Sequence, residues 1–137
     1  MKQRDPTIAN IIVDLLNLQT AGKIFHWQTP SYAAHKASDE MVEELAEKTD
    51  EMIEIVQGLT GERLRFSQQS FHYRNMNKST LLRLIRSATS RLYKLDKLST
   101  TLGSSVLNVR DEIVGILQRT QYLLSFDDVR FPRQKHI

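Results

Sequence analysis

Apolar residues recur along this chain at three- and four-residue steps, a period that predicts helices rather than strands. Ile8, Ile11, Ile12, Leu15, Leu18 and Phe25 form the first stripe. Asp5-Pro6 opens it with a capping acid and a proline suited to the first helical turn, so a helix is expected over residues 6–28. Thr29-Pro30 repeats that signal at once. The second helix, residues 30–58, must therefore fold back beside the first, with Val42, Leu45, Ala46, Ile53 and Val56 inward and Gly58 and Gly61 closing it. Residues 60–78, with Phe66, Phe71, His72 and Tyr73, have weak periodicity, and a short helix is expected among them because structureless loops of that length are uncommon. At ~3.3 Å per residue this segment can also run back the length of a helix, leaving the third helix parallel to the second. Leu81, Leu84, Ile85, Ala88, Leu92, Leu95 and Leu102 mark that third helix, residues 79–102, which Gly103 ends. Ser104 or Ser105 caps a fourth over residues 105–125, with Val106, Val109, Ile113, Ile116, Leu117 and Leu124 inward, and residues 126–137 read as an irregular tail. No strand pattern or repeat appears. The expectation is one all-α domain over residues 1–137, two short helical hairpins joined by one long crossover.

Composition narrows the chemistry. The 137 residues, 40% of them hydrophobic, suffice for one core without covalent staples. Cysteine is absent, which excludes disulfides, zinc–thiolate sites and a catalytic thiol. The first residues mix charge into the apolar positions and no apolar run reaches the ~18 residues of a membrane span, so a cytoplasmic protein without a membrane partner is expected. A net charge of +3 selects no partner, but acids crowd residues 39–54 and bases crowd residues 74–97.

Helix two carries the candidate chemistry. On a helical wheel His35, Asp39, Asp50 and Glu54 fall within an arc of about 100°. Asp39 and Asp50 nevertheless lie roughly 16 Å apart along the axis, whereas a first-row metal holds its ligands at about 2 Å. One chain cannot close both pairs on one ion. A second copy running antiparallel across a two-fold axis near Glu44 and Leu45 would bring the His35/Asp39 end of one helix to the Asp50/Glu54 end of the other, forming two equivalent sites. The Glu-x-x-His motif of di-iron sites inside helical bundles is missing, and helices three and four offer only Asp96, Asp111 and Glu112.

His26-Trp27, then His35-x-x-x-Asp39, then Asp50-x-x-x-Glu54 resembles the ferroxidase-centre signature of the Dps-type miniferritins. The resemblance covers residues 26–54 and implies a ferritin-like four-helix bundle. It implies that His26, His35 and Asp39 of one subunit and Asp50 and Glu54 of its two-fold partner are metal ligands and catalytic, with Trp27 packed beside the iron. It further implies a dodecameric shell that oxidises Fe(II), usually with hydrogen peroxide, and stores ferric mineral; some members also bind DNA. Two features depart from the family pattern. The interval from His26 to His35 is about one helical turn shorter, and Ile55 stands where an arginine follows the glutamate.

The ligand types suit this chemistry. Two imidazoles and three carboxylates accept Fe(II), with Zn(II) or Mn(II) as surrogates, because affinity alone does not choose among these metals. Two other classes of function compete. One is a non-enzymatic helical assembly in which the acids of helix two are a solvated face and His26 and Trp27 are core or cap residues. The other is a DNA-protecting protein, supported by Lys2, Arg4, Arg130, Arg133 and Lys135, which could meet phosphates without reading sequence. His72 and His136 read as packing or surface residues, and Arg83, Arg86, Arg91, Lys94 and Lys97 as an outer face paired with acids.

Overall fold

The structure, a computed structural model, describes residues 7–127. It is all-α: α1 spans Thr7–Gln28, α2 Tyr32–Thr60, α3 Lys78–Leu92 and α4 Ser99–Leu124, with 3-10 turns at Tyr93–Leu98 and Ser125–Asp127. No strand occurs among the described residues. None of the described helices is long and apolar enough to cross a membrane. The Asp5-Pro6 cap, the basic ends and the tail from residue 128 lie outside the described residues.

The turn between α1 and α2 is longer than the Thr29-Pro30 signal suggests, since α2 begins at Tyr32 rather than at Pro30. Thr29 still donates its backbone N–H to Phe25 O, and its Oγ1 accepts from the Ser31 N–H, so Thr29-Pro30 is the turn itself. Ser31 is the N-cap of α2: its backbone is extended and its Oγ accepts from the Ala34 N–H at 3.1 Å. At the other end α2 continues through Gly58 to Gly61, whose φ of 72° supplies the left-handed closing residue and whose N–H reaches Gln57 O.

Four stripes meet in one core. Ile11, Ile12, Leu15 and Leu18 of α1 pack with Leu81, Ile85 and Leu92 of α3 and Val106, Ile113 and Leu117 of α4. From α2 the buried line is Ala34, Ser38, Met41, Leu45, Thr49, Met52 and Val56. Val42 and Ile53 are only half-buried and Ala46 is exposed, so the inward face is rotated from the one expected. Two methionines and two hydroxyl residues carry it. Ser38 Oγ donates to Ala34 O and Thr49 Oγ1 accepts from Gln19 Nε2, so neither hydroxyl is unsatisfied in the core. α1 lies against α2 and α3, and α4 lies against α2 and α3.

The short helix expected between α2 and α3 is absent. Residues 61–77 are irregular, and polar side chains hold their two ends. Gln57 Oε1 accepts from the Leu64 N–H at 2.9 Å; Gln28 Oε1 accepts from the Met76 N–H at 2.7 Å, while Gln28 Nε2 donates to Asn75 Oδ1. Contacts to neighbouring helices replace helical bonds there. Asn77 then caps α3 through the Thr80 N–H, and Lys78 donates to Leu124 O at the far end of α4.

The third helix, expected to run unbroken to residue 102, leaves α geometry at Tyr93. The cause sits on α4. Arg110 is buried, donates to Leu92 O at 3.1 Å, pairs with Asp96 and Asp111, and lies 5.4 Å from the centre of the Tyr93 ring. Burial alone would lower the Arg110 pKa, but the bonds to Asp96 and Asp111 outweigh it and raise it. With the Leu92 carbonyl satisfied from outside, the helix can tighten. The expected break at Gly103 is present: with φ 74° and ψ −178° it interrupts Ser99–Leu124.

A candidate metal half-site at the α1–α2 turn

The turn places His26, at the end of α1, against His35, one turn into α2. Each ring bonds the other residue's backbone: His26 Nδ1 lies 2.8 Å from His35 O, and His35 Nδ1 lies 2.8 Å from His26 O. A carbonyl only accepts, so both Nδ1 atoms carry protons. In a neutral imidazole this leaves Nε2 as a lone pair, and a backbone partner on the second nitrogen is the usual way proteins prepare a histidine for a metal. The rings stack with centroids 3.8 Å apart and planes 17° from parallel, and Tyr32 covers His35 at 6.2 Å. Asp39, one turn beyond His35, brings Oδ1 to 3.9 Å from His26 Nε2.

Gly22 permits this closeness. A Cβ there would lie 2.7 Å from Met41 Cε and 2.9 Å from Val42 Cγ2, so α1 and α2 approach backbone to side chain one turn before His26. The shortened interval from His26 to His35 does not keep His26 away from the pair. Only 12% of its side chain is exposed, against 45% for Asp39.

The structure brings together His26, His35 and Asp39, and not Asp50 and Glu54. Those two carboxylates are exposed further along α2. Among the described residues of one chain no group of three His, Asp or Glu side chains is arranged to hold a metal. Trp27, expected beside the metal, is 68% exposed.

Several of the other acids are paired. Asp96 and Asp111 bind Arg110, and Glu112 and Glu51 bind Lys48. Those bonds from Glu112 and Glu51 raise the Lys48 pKa above the ordinary lysine value. Arg119 pairs with Glu40 and Glu44, so part of the acidic face of α2 ties it to α4. Of the basic face on α3, Arg91 binds Asp14 at 2.6 Å. Sequence reasoning missed Gly22, Asp14 and Arg110. Gly22 and Arg110 leave a faint trace, since each interrupts an apolar stripe.

This is an all-α protein carrying two backbone-locked histidines and an aspartate at one turn. The chain belongs to a family of unknown function, DUF5856, whose model matches residues 26–124, from the first of those histidines to the end of α4. Comparison with curated proteins and with solved structures gives no match.

Proposed function

We propose that this chain is a miniferritin-like protein that oxidises Fe(II) and stores the ferric product. In this reading its helices form a ferritin-like four-helix bundle with residues 61–77 as the long crossover. The contacts of α1 and α4 with both α2 and α3 support that, as does the start of α3 beside the end of α4. Two copies pair across an axis near Glu44 and Leu45. Each site takes His26, His35 and Asp39 from one copy and Asp50 and Glu54 from the other.

The observation that carries the reading is the reciprocal pair of Nδ1–carbonyl bonds, which fixes the tautomer of both rings and leaves His26 Nε2 facing the Asp39 carboxylate. A histidine pair kept only for packing needs no such matched tautomers. Iron is the substrate. Two Fe(II) ions each give one electron to one hydrogen peroxide, yielding two Fe(III) and two hydroxides; with dioxygen the electron count doubles. The protein supplies no nucleophile. It holds neutral imidazole donors toward Fe(II) and carboxylates toward the harder Fe(III). The exposed acids of α2 then offer binding points for mineral inside a shell of twelve.

Gel filtration with light scattering, Fe(II) being added and ferric absorbance followed on the same peak, tests this. The expected mass is about twelve times the 15.9 kDa of one chain, with iron oxidised in that peak. A small species that leaves Fe(II) unchanged would support the non-enzymatic helical assembly instead. Tight DNA retention persisting at roughly 200 mM salt would favour the DNA-protecting reading.

A further inference from the structure

Between Glu62 and Asp96 lie 33 residues with eight Lys or Arg and no acid. They span most of the irregular segment 61–77, α3 and the start of the 3-10 turn after it, and the fold lays them side by side. Ser70, His72 and Arg74 of the irregular segment line an open groove of about 440 Å³ together with Ser87 and Arg91 of α3. A second groove of about 550 Å³ shares Asn17 and Arg91 with the first and adds Lys94. The one acid in either lining, Asp14, is bound to Arg91. Beside the grooves Arg83, Ser87, Ser90, Lys94 and Lys97 follow at three- and four-residue steps, all exposed. The expected pairing of this face with acids holds for Arg91 only: Arg74, Arg83, Arg86, Lys94 and Lys97 form no ion pair among the described residues. Aromatic rings interleave with the charges. Phe71 packs on the core and meets Tyr73 edge to face at 4.9 Å, and Tyr73, between His72 and Arg74, is 77% exposed.

Positive charge without counter-acids suits a polyanion, and an exposed ring beside it suits a flat group that can stack. A lipid surface would need an apolar face to insert, and that of α3 is already in the core. A duplex keeps its bases stacked on one another and offers the ring none. We propose that this face binds single-stranded nucleic acid, its phosphates following Arg74, Arg83 and Lys94 and a base stacking on Tyr73, without reading sequence. None of these residues belongs to the histidine site, so this binding stands or falls independently of iron oxidation. Nor does it use the terminal lysines and arginines on which the DNA-protecting reading rests.

Fluorescence anisotropy of the full chain with labelled oligonucleotides of about twelve nucleotides, thymine DNA and uracil RNA, tests it. Saturable binding of either is expected at about 50 mM salt, the tighter one identifying the preferred sugar. Affinity should fall about fiftyfold by about 200 mM if about four phosphates are contacted. Arg74→Gln, Arg83→Gln and Lys94→Gln, all at exposed positions, should each weaken binding and flatten that salt dependence. Tyr73→Ala should weaken binding by about fivefold or more and leave the salt dependence unchanged, a pattern that separates stacking from charge. Helix content by circular dichroism should be the same in all of these variants. No binding at the lower salt, a duplex of the same length bound more tightly, or unchanged affinity in Tyr73→Ala would each overturn the proposal. So would capture by phosphatidylserine vesicles without oligonucleotide binding, or binding that survives the three charge variants and is lost with Arg130→Gln and Arg133→Gln.

Discussion

The two ends of α2 contribute differently to the proposed site. At the N-terminal end His35 is fixed by a ring stack, a backbone bond and a tight turn, and it fixes His26 in return. Asp50 and Glu54, beyond the helix midpoint, are exposed carboxylates on the same helix. The chain itself organises the first pair, and in the proposed dimer completion of the second falls to another copy. In that dimer, donor type and tautomer belong to the monomer, and completion of the ligand set to assembly.

The largest expected effect comes from removing either half. His35→Ala deletes a donor and removes the ring stacked on His26, while Asp50→Ala deletes a donor from the exposed half alone. Both should lose most Fe(II) oxidation, followed by ferric absorbance. Only His35→Ala should also lower stability, by about 1 kcal/mol for the lost hydrogen bond and stack. A parental oxidation rate in either variant would remove that residue from the site.

Complementation gives the next effect. One variant lacks His35 and Asp39 and the other lacks Asp50 and Glu54. Reassembled together, each mixed dimer holds one complete site and one empty one. Activity should return to about a quarter of the parental value under random pairing. Well-assembled mixtures with no recovery would show that the halves do not meet between copies.

Gly22→Ala probes the organised half without touching a ligand. The new methyl must displace Met41 Cε, which can yield, and Val42 Cγ2, which is stiff. Overpacking of this kind costs about 1–3 kcal/mol, readable in chemical denaturation. Oxidation should fall severalfold as α1 moves off α2, while the Asp50/Glu54 half is unaffected. Unchanged stability and rate would mean that the α1–α2 approach is not what seats His26.

The smallest effect is expected at Lys48, which ties the middle of α2 to α4 through Glu112. Its pKa is raised, so its contribution is fully present below the ordinary lysine value and is lost only as pH rises through the higher folded value. Lys48→Met should therefore lower the thermal midpoint slightly and by the same amount at about pH 7 and about pH 9. A deficit that changes between those two conditions would contradict the pairing.

Much of this architecture is legible in local pattern. The stripes of α1, α3 and α4 carry large aliphatic residues at helical spacing, and most of those residues are buried, with Ile8, Leu84 and Ile116 half-buried. α2 is less transparent. Its inward line runs through Met41, Thr49 and Met52, residues that a search for branched aliphatics passes over in favour of Val42, Ala46 and Ile53. What remained hidden depends on partners distant in sequence. Arg110 reshapes the end of α3 from 18 positions away, and Asp14 finds Arg91 across 77. At the site, residue types and spacing drew attention to the histidines and Asp39. The mutual backbone bonds depend on the turn closing at Ser31, one residue beyond the proline that marks it.

The tight α1–α2 turn also bears on folding order. The bonds between His26 and His35 span nine positions, whereas α1 meets α3 only after α2 and the crossover have been traversed. Contacts that close short loops lose little chain entropy and form early; distant ones wait. The α1–α2 hairpin, with its histidine pair, is thus expected to assemble ahead of the rest of the core. Pulsed hydrogen exchange during refolding would detect it as amide protection at Ala34 and His35 that precedes protection in α3. A nascent chain would then carry its donors already set before any second copy could reach them.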